Sequence, residues 1–517
     1  MRHPRNSYRG WLAVALVMYA TTGSAADAPA ALPGFDALVE AEMTAKQVPG
    51  LALAVVKDGA VIYSQAYGFR DLERRLPVTP RTLFRIGSVT KSMTAAAAGI
   101  LVSQGRLDLD QPVREYLPEF RLHDLFASER LTTRDMLSHR SGLPRHDMVW
   151  FHENLPREEY VRRLRFLEPS ADLRSRFQYN NLIYTASGYL IGRIAGTTWE
   201  QFVAQQLFAP LGMTSTDVSM QRFLAATDHA VGYGDDDAGK VVPIPDTSVD
   251  AIAPAGAVTS SLEDMTRYLQ MYLNGGKSVD GKQILPRKVL DEMQSPATLV
   301  PVPSRFPEIG AMHYGLGLFV STYRGHRHVY HTGAYEGFNA SLAWLPDEHI
   351  GVVILTNHNL LLNLMQVITK RAFDNLLGEE VIDWRAKFGP GEPGARSRTA
   401  AGKAAAPARS AAPVVKPARP LAEYVGRYEH PAYGIVEVRA SGKQSLELWF
   451  HGDRFPLLPV RVDLFETGEI ADRIHPLEKV KVNFLATEQG EIGSLAMRME
   501  ANVAPAILTR LPAAGTR

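Results

Sequence analysis

Phe84-Arg85-Ile86-Gly87-Ser88-Val89-Thr90-Lys91-Ser92-Met93-Thr94-Ala95-Ala96-Ala97-Ala98-Gly99-Ile100-Leu101-Val102 is the stretch from which the fold is read. From Ser92 to Val102 it carries no charge on any face, which predicts a buried helix rather than an amphipathic one. Ser88 and Lys91 are three residues apart and share a face of that helix. Ser88 is placed at the first turn, where free N–H groups and the positive dipole end favour developing negative charge. Lys91 is held where water is scarce, which favours its neutral form and makes it a usable base. A single turn thus supplies a nucleophile, a base and part of an electropositive hole.

Outward from this helix, strand patterns lie on both sides. Leu51-Ala52-Leu53-Ala54-Val55-Val56, Lys57-Asp58-Gly59 and Val61-Ile62-Tyr63 read as two strands joined by a tight turn. Ala340-Ser341-Leu342-Ala343-Trp344-Leu345, a Pro346-Asp347 turn and Ile350-Gly351-Val352-Val353-Ile354-Leu355 repeat the device far downstream. Between about 90 and 275 the pattern is mostly helical, with stops at Gly105, Gly142 and Gly275. One sheet assembled from both ends of a domain spanning about 35–385, with a helical insertion, satisfies this order.

The chain has 517 residues, 45% hydrophobic and 21% charged, with net charge +1, so a nucleic-acid partner is not indicated. Residues 1–26 read as a signal peptide: Arg2, Arg5 and Arg9, a short apolar core from Trp11 to Ala20, and small residues at Gly23-Ser24-Ala25-Ala26. Ten apolar residues are too few to span a bilayer, and no later run is apolar enough, so no transmembrane segment is expected in the mature chain. The expected location is periplasmic, or secreted. With no cysteine, thiol nucleophiles, disulfides and cysteine metal sites are excluded. There is no H-E-x-x-H and no phosphate-binding loop, so neither a metal nor a cofactor is expected. Residues 391–419, rich in Ala and Pro with no Leu, Ile or aromatic residue, read as a disordered linker. From 420 to 512 alternation returns at Val436-Val438, Leu446-Leu448-Phe450, Val480-Val482-Phe484 and Leu495-Met497-Met499, predicting a small antiparallel sandwich or barrel.

Three further segments bear on Ser88. Phe177-Gln178-Tyr179-Asn180-Asn181 is a polar loop leading into an apolar run, and a lysine ammonium nearby would lower the pKa of Tyr179. His331-Thr332-Gly333-Ala334 offers a polar donor, a hydroxyl and backbone N–H groups on a strand edge, a cradle for an extended substrate. Leu131 to Pro144 starts a helix at Thr132 or Thr133 and stops at Gly142; it reads as scaffold, with His139 a packing residue.

Together these segments resemble the serine β-lactamase and penicillin-binding protein superfamily, and most closely its class C β-lactamase-like branch of serine hydrolases. The likeness rests on the Phe84–Lys91 block, Leu137-Ser138-His139-Arg140-Ser141-Gly142-Leu143-Pro144, Tyr179-x-Asn181, Pro254-Ala255-Gly256, Tyr314-Gly315-Leu316-Gly317 and His331-Thr332-Gly333. It implies an α/β (α+β) fold with a central antiparallel sheet, flanking helices and a helical subdomain, and a C-terminal lipocalin-like β-barrel. By the same resemblance Ser88 is the acylated nucleophile, and Lys91 and Tyr179 move its proton. Asn181 orients the substrate amide, and the amides of Ser88 and Ala334 form the oxyanion hole beside Thr332 and Gly333.

One departure bears on the substrate. Most β-lactamases and carboxypeptidases of the superfamily carry lysine where this chain has His331, and a neutral histidine captures a carboxylate less well. The resemblance therefore implies an exported hydrolase of amide or ester bonds in small peptides or peptide-like molecules, D-residues included. The alternatives are a class C-type β-lactamase or penicillin-binding D,D-peptidase, and an inactive envelope scaffold. Partners are then a small peptide, β-lactam or ester substrate.

Overall fold

The computed structural model describes residues 31–236, 238–359, 362–389, 417, 419–442, 444–470 and 475–512. The segment read as a signal peptide and nearly all of the segment read as a linker lie outside these residues.

The two distant strand pairs meet in one sheet. Gly50–Lys57 is bonded on one side to Ala60–Asp71 and on the other to Ile350–Thr356, with Ala54 opposite both Ser64 and Val353. Asp58 and Gly59 both take positive φ in the two-residue turn, as a hairpin with the sheet's twist requires. Phe338–Leu345, His326–Tyr335, Phe319–Tyr323, His313–Tyr314 and Thr298–Leu299 follow in order, and Leu76–Pro77 closes the other edge of a nine-stranded antiparallel sheet.

Both faces of the sheet are covered, which is why its central strands are apolar throughout rather than alternating. Leu51, Leu53 and Val55 pack with Phe35 and Val39 of the Phe35–Ala45 helix and with Ile368 and Phe373 of Leu362–Leu377. Ala52, Ala54 and Val56 face the opposite core, shared with Met265, Tyr268 and Leu269 of Leu262–Leu273. Trp344 stacks on Tyr272 at 4.5 Å and donates to Gln294 Oε1.

The Thr90–Ser103 helix is buried from Thr90 through Leu101, as its lack of charge dictates. Ser88 itself falls in a separate 3-10 turn, Gly87–Val89, that leads into this helix. It packs beside Asn181–Ala195, whose entry is fixed by Asn180 accepting from the Ile183 N–H.

Gly426–Arg510 forms an eight-stranded barrel closed by pairing Gly426–His430 with Ala506–Arg510. Tyr424, Tyr428, Phe465 and Phe484 pack ring against ring inside it. Its outer edge docks on the segment 146–163 of the helical region. The His146 N–H donates to Glu500, Tyr433 meets His146 Nδ1 at 2.7 Å, Arg163 donates to the Ala432 carbonyl, and His152 pairs with Asp453 at 2.8 Å. No helix among the described residues is long and apolar enough to cross a membrane.

Candidate active site

The site is set by backbone packing before any side chain enters. Gly87 has φ +51°, and a Cβ there would lie 2.8 Å from the Ala334 nitrogen. A Cβ on Gly333 would lie 1.8 Å from the Ile86 carbonyl and 3.0 Å from the Ser88 nitrogen. Two glycines therefore let the Ser88 turn and the His326–Tyr335 strand touch main chain to main chain. That contact brings the Ser88 and Ala334 amides close together. Gly333→Ala would force the strand off the turn, and kcat should fall about 100-fold. Steady-state kinetics beside a circular dichroism melt would separate this from unfolding.

Lys91 is fully buried. Its Nζ lies 3.0 Å from Ser88 Oγ, 2.8 Å from Asn181 Oδ1 and 2.7 Å from the Ala255 carbonyl. Burial, with the Arg145 charge adding to it and Asp147 opposing, holds the amine far below the usual lysine range. A neutral amine has two hydrogens and one lone pair. The two carbonyl oxygens accept only, so they take the hydrogens and leave the lone pair facing the Ser88 hydroxyl. The Pro254-Ala255-Gly256 segment thus supplies an acceptor that fixes the direction of the base.

Tyr179 hydrogen-bonds Ser88, and its ring lies 4.6 Å from Lys91 Nζ. The expected lowering of its pKa does not occur. Burial raises it, with the Ser88 hydrogen bond and the Arg145 charge opposing only in part. Tyr179 is therefore a neutral phenol, suited to passing a proton rather than to removing one. Asn181 has both amide ends engaged, Oδ1 with Lys91 and Nδ2 donating to Asp147 Oδ1 at 3.2 Å.

His331 is 1% exposed, with both nitrogens facing protein. Nδ1 donates to the Thr332 carbonyl at 2.6 Å, so Nε2 accepts from the Tyr314 hydroxyl at 3.0 Å. Burial pushes its pKa down to about 3, so the ring is uncharged near neutral pH. Thr332 is half-buried and opposite Ser341, and Ala334 is exposed opposite Asn339.

Two features were not placed at the site from the sequence, which read His139 only as a packing residue and passed over Arg145 and Asp147. His139 stands at the centre of an aromatic cluster, 4.2 Å from Tyr179, 4.8 Å from Tyr184 and 4.8 Å from Tyr314, and accepts from the Asn180 N–H. Its packing role is thereby tied to the position of Tyr179. Arg145 and Asp147, just past the Gly142 stop, pair at 2.5 Å beside Tyr179 and Asn181. The signal for them was a charged pair in a loop directly after a scaffold helix.

The chain matches the family model for Beta-lactamase over residues 35–376 and a domain of unknown function, DUF3471, over 410–508. It is 29% identical over 420 residues to the unguisins hydrolase ungD of Aspergillus violaceofuscus, covering 76% of this chain and 74% of that protein. It is 25% identical over 328 residues to protein flp of Staphylococcus aureus, covering 63% of this chain and 62% of that protein. In fold it is similar to the octameric penicillin-binding protein homologue from Pyrococcus abyssi, with a TM-score of 0.58 at 24% identity, covering 92% of this chain and 99% of that one. The chain belongs to the beta-lactamase family of serine hydrolases, on a fold like that of a penicillin-binding protein homologue.

Proposed function

We propose that the protein is an exported serine hydrolase that cleaves amide or ester bonds of small peptides or peptide-like molecules through an acyl-enzyme on Ser88. The observation that carries this is Lys91 Nζ, 3.0 Å from Ser88 Oγ, with its other two bonds made to acceptors only. In this reading Oγ attacks the carbonyl as Lys91 takes its proton, and the Ser88 and Ala334 amides hold the oxyanion. Tyr179 hands the proton to the leaving group, Asn181 orients the substrate amide, and water then releases the acyl group. The relative named a hydrolase agrees with this class, and the arginines near the N-terminus support export.

The family match favours a second reading, a β-lactamase or penicillin-binding peptidase, against which stands the uncharged, fully engaged His331. Mature protein and its Ser88→Ala variant would be compared on D- and L-aminoacyl amides, short esters and benzylpenicillin. The expected result is turnover of amides or esters that falls at least about 1,000-fold in the variant, with the drug left intact. Rapid ring opening or a lasting drug adduct would establish the second reading instead.

A further inference from the structure

A substrate carboxylate needs a cation, and the cations around Ser88 differ sharply in what they have left to give. Lys91 is buried with all its bonds made. Arg85 is buried, its guanidinium 4.0 Å over the Tyr335 ring and facing Asp246 and Glu336. His331 has neither charge nor a free nitrogen.

Arg145 is different. Its side chain is 52% exposed, yet it lies against the catalytic groups, with Cζ 5.2 Å over the ring of Tyr179. Only Nε is engaged, with Asp147 Oδ2 at 2.5 Å, and among the described residues neither Nη has an acceptor. Asp147 is itself fixed: its Oδ1 accepts from Asn181 Nδ2 and from Trp150 Nε1. The guanidinium is thus oriented by the residue that is hydrogen-bonded to Asn181, with its planar Nη pair left open. Glu500 of the barrel, which accepts from the neighbouring His146 N–H, adds its negative charge to the surroundings of this guanidinium.

We propose that Arg145 is the carboxylate anchor of this active site, taking through its two Nη groups an anionic group carried by the acyl part of the substrate. The proposal rests on the acyl-enzyme reading above and narrows it to substrates whose acyl portion is acidic. The acyl side is chosen because Arg145 is tied through Asp147 to Asn181, which orients the substrate amide in that reading. A fork-shaped guanidinium matches a carboxylate bidentately, which a lysine at the same place would not do.

The test is a pair of thioesters, an N-succinyl-D-alanyl thioester and its succinyl methyl ester, identical except for the charge on the acyl cap. With native protein kcat/KM for the acid should exceed that for the methyl ester by about 30-fold, mainly through KM. In R145Q the ratio should fall close to one, and in R145K it should be intermediate, with melting curves recorded for both. A native ratio near one, or an unchanged ratio in R145Q, would overturn the anchor while leaving the acyl-enzyme intact. If native protein turns over neither thioester and acquires no acyl group on Ser88, the acyl-enzyme reading fails and the anchor with it. The native ratio alone decides the matter if a variant does not fold.

Discussion

Lys91→Met should slow acylation of Ser88 by about 10,000-fold while leaving the sheet and barrel folded. Methionine keeps most of the lysine's apolar length but has no atom at the Nζ position, so the Ser88 proton loses its acceptor. It also leaves Asn181 Oδ1 and the Ala255 carbonyl without their donor in a buried place. Each buried unpaired oxygen costs about 1–3 kcal/mol, so the melting temperature should drop as well. The pH dependence has a fixed sign. Burial holds the lysine well below its ordinary value, and the native rate should fall as acidification protonates it. Pre-steady-state acylation of native protein and variant across pH, with circular dichroism alongside, checks all three expectations. A variant that acylates within about tenfold of native would remove Lys91 as the base.

The second large effect is expected where the barrel meets the catalytic sheet. His152 Nδ1 lies 2.8 Å from Asp453 Oδ2 of the barrel, and Nε2 lies 3.3 Å from Glu336 Oε1, two residues past Ala334. Burial opposes charge on this ring, but the two carboxylates outweigh it and raise its pKa to about 9. Glu336 also accepts from Thr247, which bonds the Tyr335 hydroxyl at 2.6 Å, so the link reaches the strand that carries Ala334. His152, Asp453 and His475 stand close enough for a cation site, all ligand atoms within 4.8 Å. The Leu477 N–H, however, donates to His475 Nδ1, which places that ring's proton on Nε2 facing Asp453.

A histidine whose folded pKa is raised contributes stability that is complete below its unfolded value of about 6.5 and lost as pH rises through the folded one. Native protein should therefore lose about 3 kcal/mol between pH 6.5 and somewhat above 9 from this group. His152→Leu removes one of the two histidines paired with the buried Asp453 and takes the cation away from the half-buried Glu336. About 2–3 kcal/mol should be lost at neutral pH, the His475 contact retaining part of the link. Activity should fall about tenfold as the end of the strand loosens. Urea midpoints of the two proteins at a series of pH values check this. Identical pH dependences would show that His152 does not carry the link.

The sheet was legible because its central strands are apolar on both faces and one is closed by Asp58-Gly59, a turn with a single good geometry. Leu76–Pro77, Thr298–Leu299 and His313–Tyr314 are two residues each and carry no period, so nothing short of the folded sheet reveals them. Alternation marked four of the tail's eight strands, and the pairing of Tyr428 with Arg510 that closes them into a barrel is long-range. At the site, Ser88 and Lys91 were readable because three residues is a helical spacing, even though Ser88 lies in a 3-10 turn. The pKa of Tyr179 was read in the wrong direction, since the burial that folding imposes on the phenol outweighs the groups that would lower it. Arg145, Asp147 and His152 acquire their meaning only from partners that folding brings from 34, 184 and 301 residues away.

The most direct measurement is the mass of the protein itself during turnover. Mature native protein and Ser88→Ala would each be mixed with a slowly deacylating ester, quenched in acid within the first turnover, weighed intact and mapped by peptide. The expected result is one acyl group on the peptide carrying Ser88 in native protein and none in the variant, which should also be inactive. Turnover by native protein with no adduct on Ser88, together with full activity in the variant, would contradict the assignment of Ser88 as the nucleophile.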